Sequence, residues 1–381
     1  MIKKIETKDI FYKKLRGLLN LAKAECYSLA AWKSPHEDTI HVIVCKKPSK
    51  FETNFISQKL EGFCFVPFET SETHKTLWFA KEYYLNSEGT DQETNFKINL
   101  ELVPSKTEEF KIKPISKVNN STYSDLVSVA LPLLKNNLLK KVVLAQKQDY
   151  ELISCDEVAL FENLCSSTKG FCNLVYTPEH EIQIGASPEI LVSEENHIFK
   201  TIALAGTQKA ENISDINAAT WTHKEIEEQA LVSRYIIECF KKIRLREYDD
   251  IGPKTVQAGN LLHLKTEFFV NTVEVNFPNL TSTMLELLHP TSAICGMPLE
   301  FAKQFIKNHE NFERGYFCGY LGSVNIDQKT NIYVNIRCLH IKNKMVSFFA
   351  GAGITEDSIP EKEFAETNNK IAFLKNRFSI Q

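Results

Sequence analysis

Phe349–Lys370 reads FAGAGITEDSIPEKEFAETNNK, a strand-like end, a turn and a helix start in close succession. The apolar run closes on Gly351 and Gly353. Small residues there let backbone N–H groups approach an anion, although glycine also marks any tight turn. Ser358, Pro360 and Glu361 then form a helix-start pattern, with a hydroxyl cap, a proline in the first turn and an acidic residue three positions on. Inside that helix Glu363 and Glu366 share one face, and Lys370 follows Glu366 by four. Such residues have a plain reading, as first-turn acids favoured by the macrodipole and as a surface Glu–Lys pair. They also have a sharper one, as carboxylates and an amine turned toward a ligand.

A second helix repeats the pattern. Thr222 and Glu225 make a capping box, and Glu225 and Glu228 again lie three apart. Four carboxylates from two helices are the donors a hard cation such as Mg²⁺ takes, together with waters and substrate oxygens. Around these helices the chain is rich in strand-like runs. Lys141–Ala145 (KVVLA) is β-branched, Phe171–Thr177 and Glu181–Gly185 form a hairpin, and Ile198–Ala205 and Ile332–His340 are further strands. Upstream, Ile10, Leu15 and Leu18 suggest an amphipathic opening helix, followed by strands at Thr39–Cys45, Gly62–Phe68 and Thr76–Phe79. Lys111–Asn120 reads as a linker and Ser121–Lys135 as a helix. The pattern predicts an α+β fold with a large, mostly antiparallel sheet system and outer helices. The expected organisation is one domain over residues 1–381, with 1–115 the more variable part and 116–381 the catalytic core.

The 381 residues carry a formal net charge of -3, too near neutrality to steer the chain onto nucleic acid or an anionic membrane. The ten cysteines are scattered and form no C-x-x-C pair, which suits a reducing compartment. No secretory h-region follows the basic start, and no run of ~18 apolar residues occurs. A cytoplasmic, monomeric enzyme without a membrane or nucleic-acid partner is the expectation.

Three more positions draw attention. Lys141 opens an apolar strand, where a lysine either snorkels to water or is held as a base of lowered pKa. His263, in NLLHLKT, is either a hydrogen-bonded core histidine or a site residue. Gly206–Thr207, in LAGT, is either a turn or a backbone cradle with one hydroxyl.

In order, the chain shows KVVLA, GASPE (Gly185–Glu189), LAGT, KEIEEQ (from Lys224), LLHLKT, LHPTSAICGMP (Leu288–Pro298), ERGYFCG (Glu313–Gly319), NIRC (Asn335–Cys338), FAGAGI and EKEFAETNNK. Over roughly residues 115–381 this series resembles the chorismate-utilising enzymes, which include isochorismate, salicylate, anthranilate and aminodeoxychorismate synthases. The resemblance implies the anthranilate synthase component I-like fold, chorismate as substrate and Mg²⁺ as cofactor. It implies Glu228 and Glu366 as metal ligands with Glu225 and Glu363 beside them. It further implies Arg337, His263, Lys370, Gly206, Thr207 and the Gly351 and Gly353 amides as the groups holding the substrate carboxylates.

The same resemblance makes Lys141 the general base that activates water and Glu189 the general acid, which points to isochorismate synthase in menaquinone or siderophore biosynthesis. Ala205 stands where aminodeoxychorismate synthases typically carry a lysine nucleophile. Anthranilate synthases usually lack the lysine at 141. Ala293 stands where salicylate synthases tend to have threonine. Salicylate synthase, with pyruvate elimination after hydration, and a non-catalytic chorismate-binding relative are the alternatives. Gln229 departs from the histidine of many members, and Phe317 from a tyrosine.

Overall fold

The computed structural model describes residues 2–93, 98, 100–105, 109–115, 120–209, 216, 219–258 and 261–381. Among them, twelve strands form one sheet and nine another, with helices on the outer faces. Every strand pairing is antiparallel except Ser379–Ile380 against Lys111–Pro114, so the α+β expectation holds.

Many strands are apolar along their whole length. Ile40–Cys45, Gly62–Val66 and Phe171–Thr177 are buried at every position, because each is covered on both faces. Where the two sheets face each other, Trp32, Phe63, Phe65, Phe79 and Phe171 build a shared aromatic core. Phe171 and Tyr333 stack there across the sheets with centroids 4.2 Å apart. Both sheets draw strands from the first 115 residues. Ser28–Lys33 pairs with Phe171–Thr177 in one sheet, and Gly62–Val66 pairs with Tyr320–Ile326 in the other.

Three local expectations need correction. Lys111–Pro114 is a strand against Lys141–Ser154 rather than linker, while residues 116–119 lie outside the described residues. Ser358 is not the cap of the last helix. Ile359 is the N-cap of Pro360–Lys375, and Ser358 Oγ instead accepts the Thr355 N–H at 3.1 Å. The residue before a proline is forced into extended backbone, and that position is where a helix begins. The run Ile332–His340 is not one strand. Lys329–Val334 belongs to one sheet and Cys338–Lys342 to the other, with Arg337 at φ 49° in the break.

That break is one of two places where the chain steps between sheets close to each other. The other is Pro188–Glu189, between strands Glu181–Ser187 and Ile190–Glu195. The crossings are tied together. Val334 N–H donates to Glu189 O at 3.0 Å, Ala186 N–H to Arg337 O at 3.1 Å, and Ser187 Oγ to Val334 O at 2.6 Å. The helix His223–Lys242 starts at the expected capping box, with Thr222 N–H donating to Glu225 Oε2 at 2.8 Å. No helix among the described residues is long and apolar enough to cross a membrane.

Asn335 holds the second crossing from within. Fully buried, its Nδ2 donates to Tyr316 O at 2.8 Å. Asn335→Ala leaves that carbonyl with only the Gly319 N–H at 3.0 Å and should cost about 0.5–1.5 kcal/mol. A lower urea midpoint at unchanged m-value is the expected result, and an unmoved midpoint would count against it.

Candidate active site

The two crossings, the helices His223–Lys242 and Pro360–Lys375 and the Lys141–Ser154 and Met345–Ile354 strands enclose a cavity of about 210 Å³. Lys141, Glu189, Gly206, Glu225, Glu228, His263, Arg337, Gly351, Gly353, Glu363, Glu366 and Lys370 all line it. Of the catalytic, substrate-binding and metal candidates named from sequence, Thr207 alone is not among them. Its backbone pairs with His263, and its side chain lies outside the described residues.

Lys141 does not snorkel. It is 3% exposed, and its Nζ meets Glu228 Oε1 at 2.8 Å. Gly353 makes room for this pair. A Cβ there would come within 2.7 Å of Lys141 Cε and 3.2 Å of Glu228 Oε1. The strand Met345–Ile354 pairs with Lys141–Ser154 along one edge. Its opposite edge is covered by Cys338–Lys342 only as far as Phe348.

Across from Gly351 and Gly353 stand Ala145 and Val143, whose own N–H groups turn away, to Glu310 Oε1 and Cys295 O. In an antiparallel ladder such facing residues are the non-hydrogen-bonded pairs. The Gly351 and Gly353 backbone groups are therefore directed to the open edge. Gly351 O receives Lys370 Nζ there at 2.8 Å. Lys370 also pairs with Glu366 Oε1 at 2.7 Å.

Gly206 sits at φ 68°, at a register shift between Ala205 and Thr207. This bulge turns its carbonyl to His263 Nδ1 at 3.1 Å. A carbonyl can only accept, so Nδ1 carries the proton. Burial lowers the His263 pKa, and the nearby Arg337 and Lys370 charges push the same way. The ring is then neutral, with an acceptor at Nε2. That suits a hydroxyl donor better than the carboxylate expected from sequence.

Glu189 rides on the first crossing. Burial pushes its carboxyl from an ordinary 4.5 up to about 7, with the Lys141 and Lys370 charges opposing. A protonated carboxyl and an amine thus open onto one space.

The four acidic side chains fit a hard divalent ion by donor type. Glu363 is buried to 4% exposure. Glu225 Oε2 is engaged by its own helix start, while Glu228 and Glu366 each give one oxygen to a lysine. Among the described residues, no three His, Cys, Asp or Glu side chains converge as a ready-made ligand set. An ion held here would need further ligands beyond these side chains.

Gln229, next to Glu228, points away from the cavity. Its Nε2 donates to Ala203 O at 3.1 Å and Thr266 Oγ1 at 3.0 Å, fastening the helix to its sheet. Phe317 and Phe349 stack at 5.3 Å on the apolar wall. Glu310 and Arg314 escaped notice in the sequence. Their spacing of four reads as a surface pair, yet both side chains are 2% exposed behind the cavity.

Comparison with known proteins gives the family and the fold. A family profile described as chorismate binding enzyme matches residues 69–378. The vibriobactin-specific isochorismate synthase of Vibrio cholerae is 30% identical over 269 residues, covering 68% of this chain and 67% of that protein. The fold is that of MenF, the menaquinone-specific isochorismate synthase of Escherichia coli, with a TM-score of 0.75, 20% identity and coverage of 94% of this chain and 90% of that one. It is also that of anthranilate synthase component I from Streptococcus pneumoniae, with a TM-score of 0.71, 19% identity and coverage of 91% and 92%.

Glu189 also leaves a mark on stability. Its folded pKa, about 7, lies above the 4.5 of the unfolded chain, so the native state binds the extra proton between these values. Its contribution to stability is fullest below 4.5 and falls as pH rises toward 7. Glu189→Gln removes this titration. Denaturant midpoints compared at pH 5 and pH 7.5 should show a smaller drop in the variant than in the native chain.

Proposed function

The chain belongs to the chorismate-binding enzymes, and on that footing we propose that it is an isochorismate synthase, feeding menaquinone or siderophore biosynthesis. The observation that carries the reading is the opening of Lys141 and Glu189 onto one cavity, with burial holding the Glu189 carboxyl protonated up to about pH 7.

Lys141 takes a proton from water as the water oxygen bonds to C2 of chorismate, and the ring double bonds shift. Glu189 gives its proton to the departing C4 hydroxyl, which leaves as water. One base and one acid suffice, and each must begin in the right protonation state. Glu228 bears on the base. Its Oε1 lies 2.8 Å from Lys141 Nζ, so whatever engages this carboxylate also sets where the amine points. Arg337, Lys370 and the Gly351 and Gly353 amides hold the carboxylates of the substrate, Arg337 through its planar fork. His263 accepts from a hydroxyl.

Mg²⁺ is proposed as the cofactor, held by Glu228 and Glu366 with Glu225 and Glu363 beside them. When bound it supplies a hard positive charge for a substrate carboxylate. Ala205 and Ala293, both on the cavity wall, offer no amine and no hydroxyl. That favours release of isochorismate over the chemistry of the neighbouring branches.

Purified protein given chorismate and Mg²⁺ should yield isochorismate alone on chromatography. Salicylate with pyruvate would overturn the branch, and no conversion would overturn the function. Lys141→Ala should lower kcat by roughly 10²–10⁴-fold while chorismate still binds. Chelation should abolish turnover until Mg²⁺ is restored. The acid must be protonated, so kcat should decline above about pH 7 as Glu189 ionises, and Glu189→Gln should lose that limb.

A further inference from the structure

The strand Lys141–Ser154 has an incompletely covered edge. Opposite Met345–Ile354, the strand Gly296–Met297 reaches only Lys141 and Val142, and Lys111–Pro114 only Tyr150–Ser154. Buried backbone between those points needs other partners. Cys295 O takes the Val143 N–H at 2.8 Å, and a single ion pair supplies two more partners. Glu310 Oε1 accepts the Ala145 N–H at 2.8 Å, and Arg314 Nη2 donates to Val143 O at 2.7 Å. Arg314 Nη1 donates to Ile294 O at 2.8 Å, and its Nε binds Glu310 Oε2 at 2.8 Å. The guanidinium lies 4.7 Å over the Phe68 ring.

We propose that the Arg314–Glu310 pair is the positioning element of the active site, fixing the strand that carries Lys141 against the wall formed by Ala293 and Ile294. A buried ion pair is poor evidence of a stability device, since apolar residues of similar volume often serve as well or better. Apolar residues cannot bind Val143 O, Ala145 N and Ile294 O at once. Val143 and Ile294 line the cavity, as does Phe317, three residues after Arg314. The pair therefore sets the distance between the base-bearing strand and the wall facing it. Neither residue touches the cavity in place of Lys141 or Glu189. Both act through the backbone they hold.

The inference rests on the isochorismate synthase reading for its kinetic arm and is independent of that reading for its exchange arm. Arg314→Lys keeps the charge and loses the fork. In the folded variant kcat should drop about 100-fold, the size expected for a small misplacement of reacting groups, with KM changed less than about threefold. Amide hydrogen exchange at Val143 and Ala145 should quicken at least about tenfold, while distant strands keep their protection. Glu310→Gln keeps the shape and loses the charge. It should move both readings the same way, with kcat down roughly tenfold, and it carries the test if the lysine variant does not fold.

A merely structural role predicts a lower Tm with kcat and local exchange unchanged, and that result overturns the proposal. If the native enzyme does not convert chorismate, the functional reading fails by itself. Exchange at Val143 and Ala145 then still decides the positioning role, unchanged protection overturning it.

Discussion

Three hydrogen bonds, from Val334 N–H to Glu189 O, Ala186 N–H to Arg337 O and Ser187 Oγ to Val334 O, bind two sheet crossings side by side. The rest of the site depends on them. A strand that stayed in its sheet would turn Glu189 and Arg337 alternately inward and outward with its neighbours. Leaving one sheet for the other frees both side chains from that alternation and delivers them to the seam. The helices bearing the acidic residues then close the seam from outside.

Inside the cavity, charge is matched before any ligand arrives. Lys141 faces Glu228 and Lys370 faces Glu366, so neither cation nor carboxylate bears its desolvation alone. The chain makes room for this with glycine, since Gly353 sits where any side chain would strike the first pair. For Glu189, burial outweighs the opposing Lys141 and Lys370 charges. The same cavity thus sets two carboxylates beside lysines and holds a third, Glu189, well above the usual carboxylate range by burial.

Much of this was legible in the sequence. Apolar runs such as IHVIVC gave the strands, the Thr222–Glu225 box gave a helix start at its true residue, and the spacing of the acidic pairs pointed to a shared face. Three features were hidden, each for a physical reason. The change of sheet at Asn335–Arg337 interrupts an apolar run without any glycine or proline to signal it. Ser358 looked like a cap because a hydroxyl before Pro-Glu fits the pattern, yet the proline moves the helix start to Ile359. Glu310 and Arg314 drew no notice as a pair, because only the folded chain shows the bare strand edge they satisfy. The tautomer of His263 likewise depends on a bulge at Gly206, which residue spacing does not disclose.

The paired crossings also bear on how the chain can change length over evolution. Two residues, Pro188 and Glu189, span one step, and Asn335–Arg337 span the other. Each is pinned between strands already in register on both sides. One added residue in either step would turn a whole strand inside out or break the mutual bonds. Hairpin tips such as Asn196–His197 and Asp327–Gln328, already in left-handed backbone, face no such demand. Insertions and deletions among relatives should gather at those tips and spare the two steps.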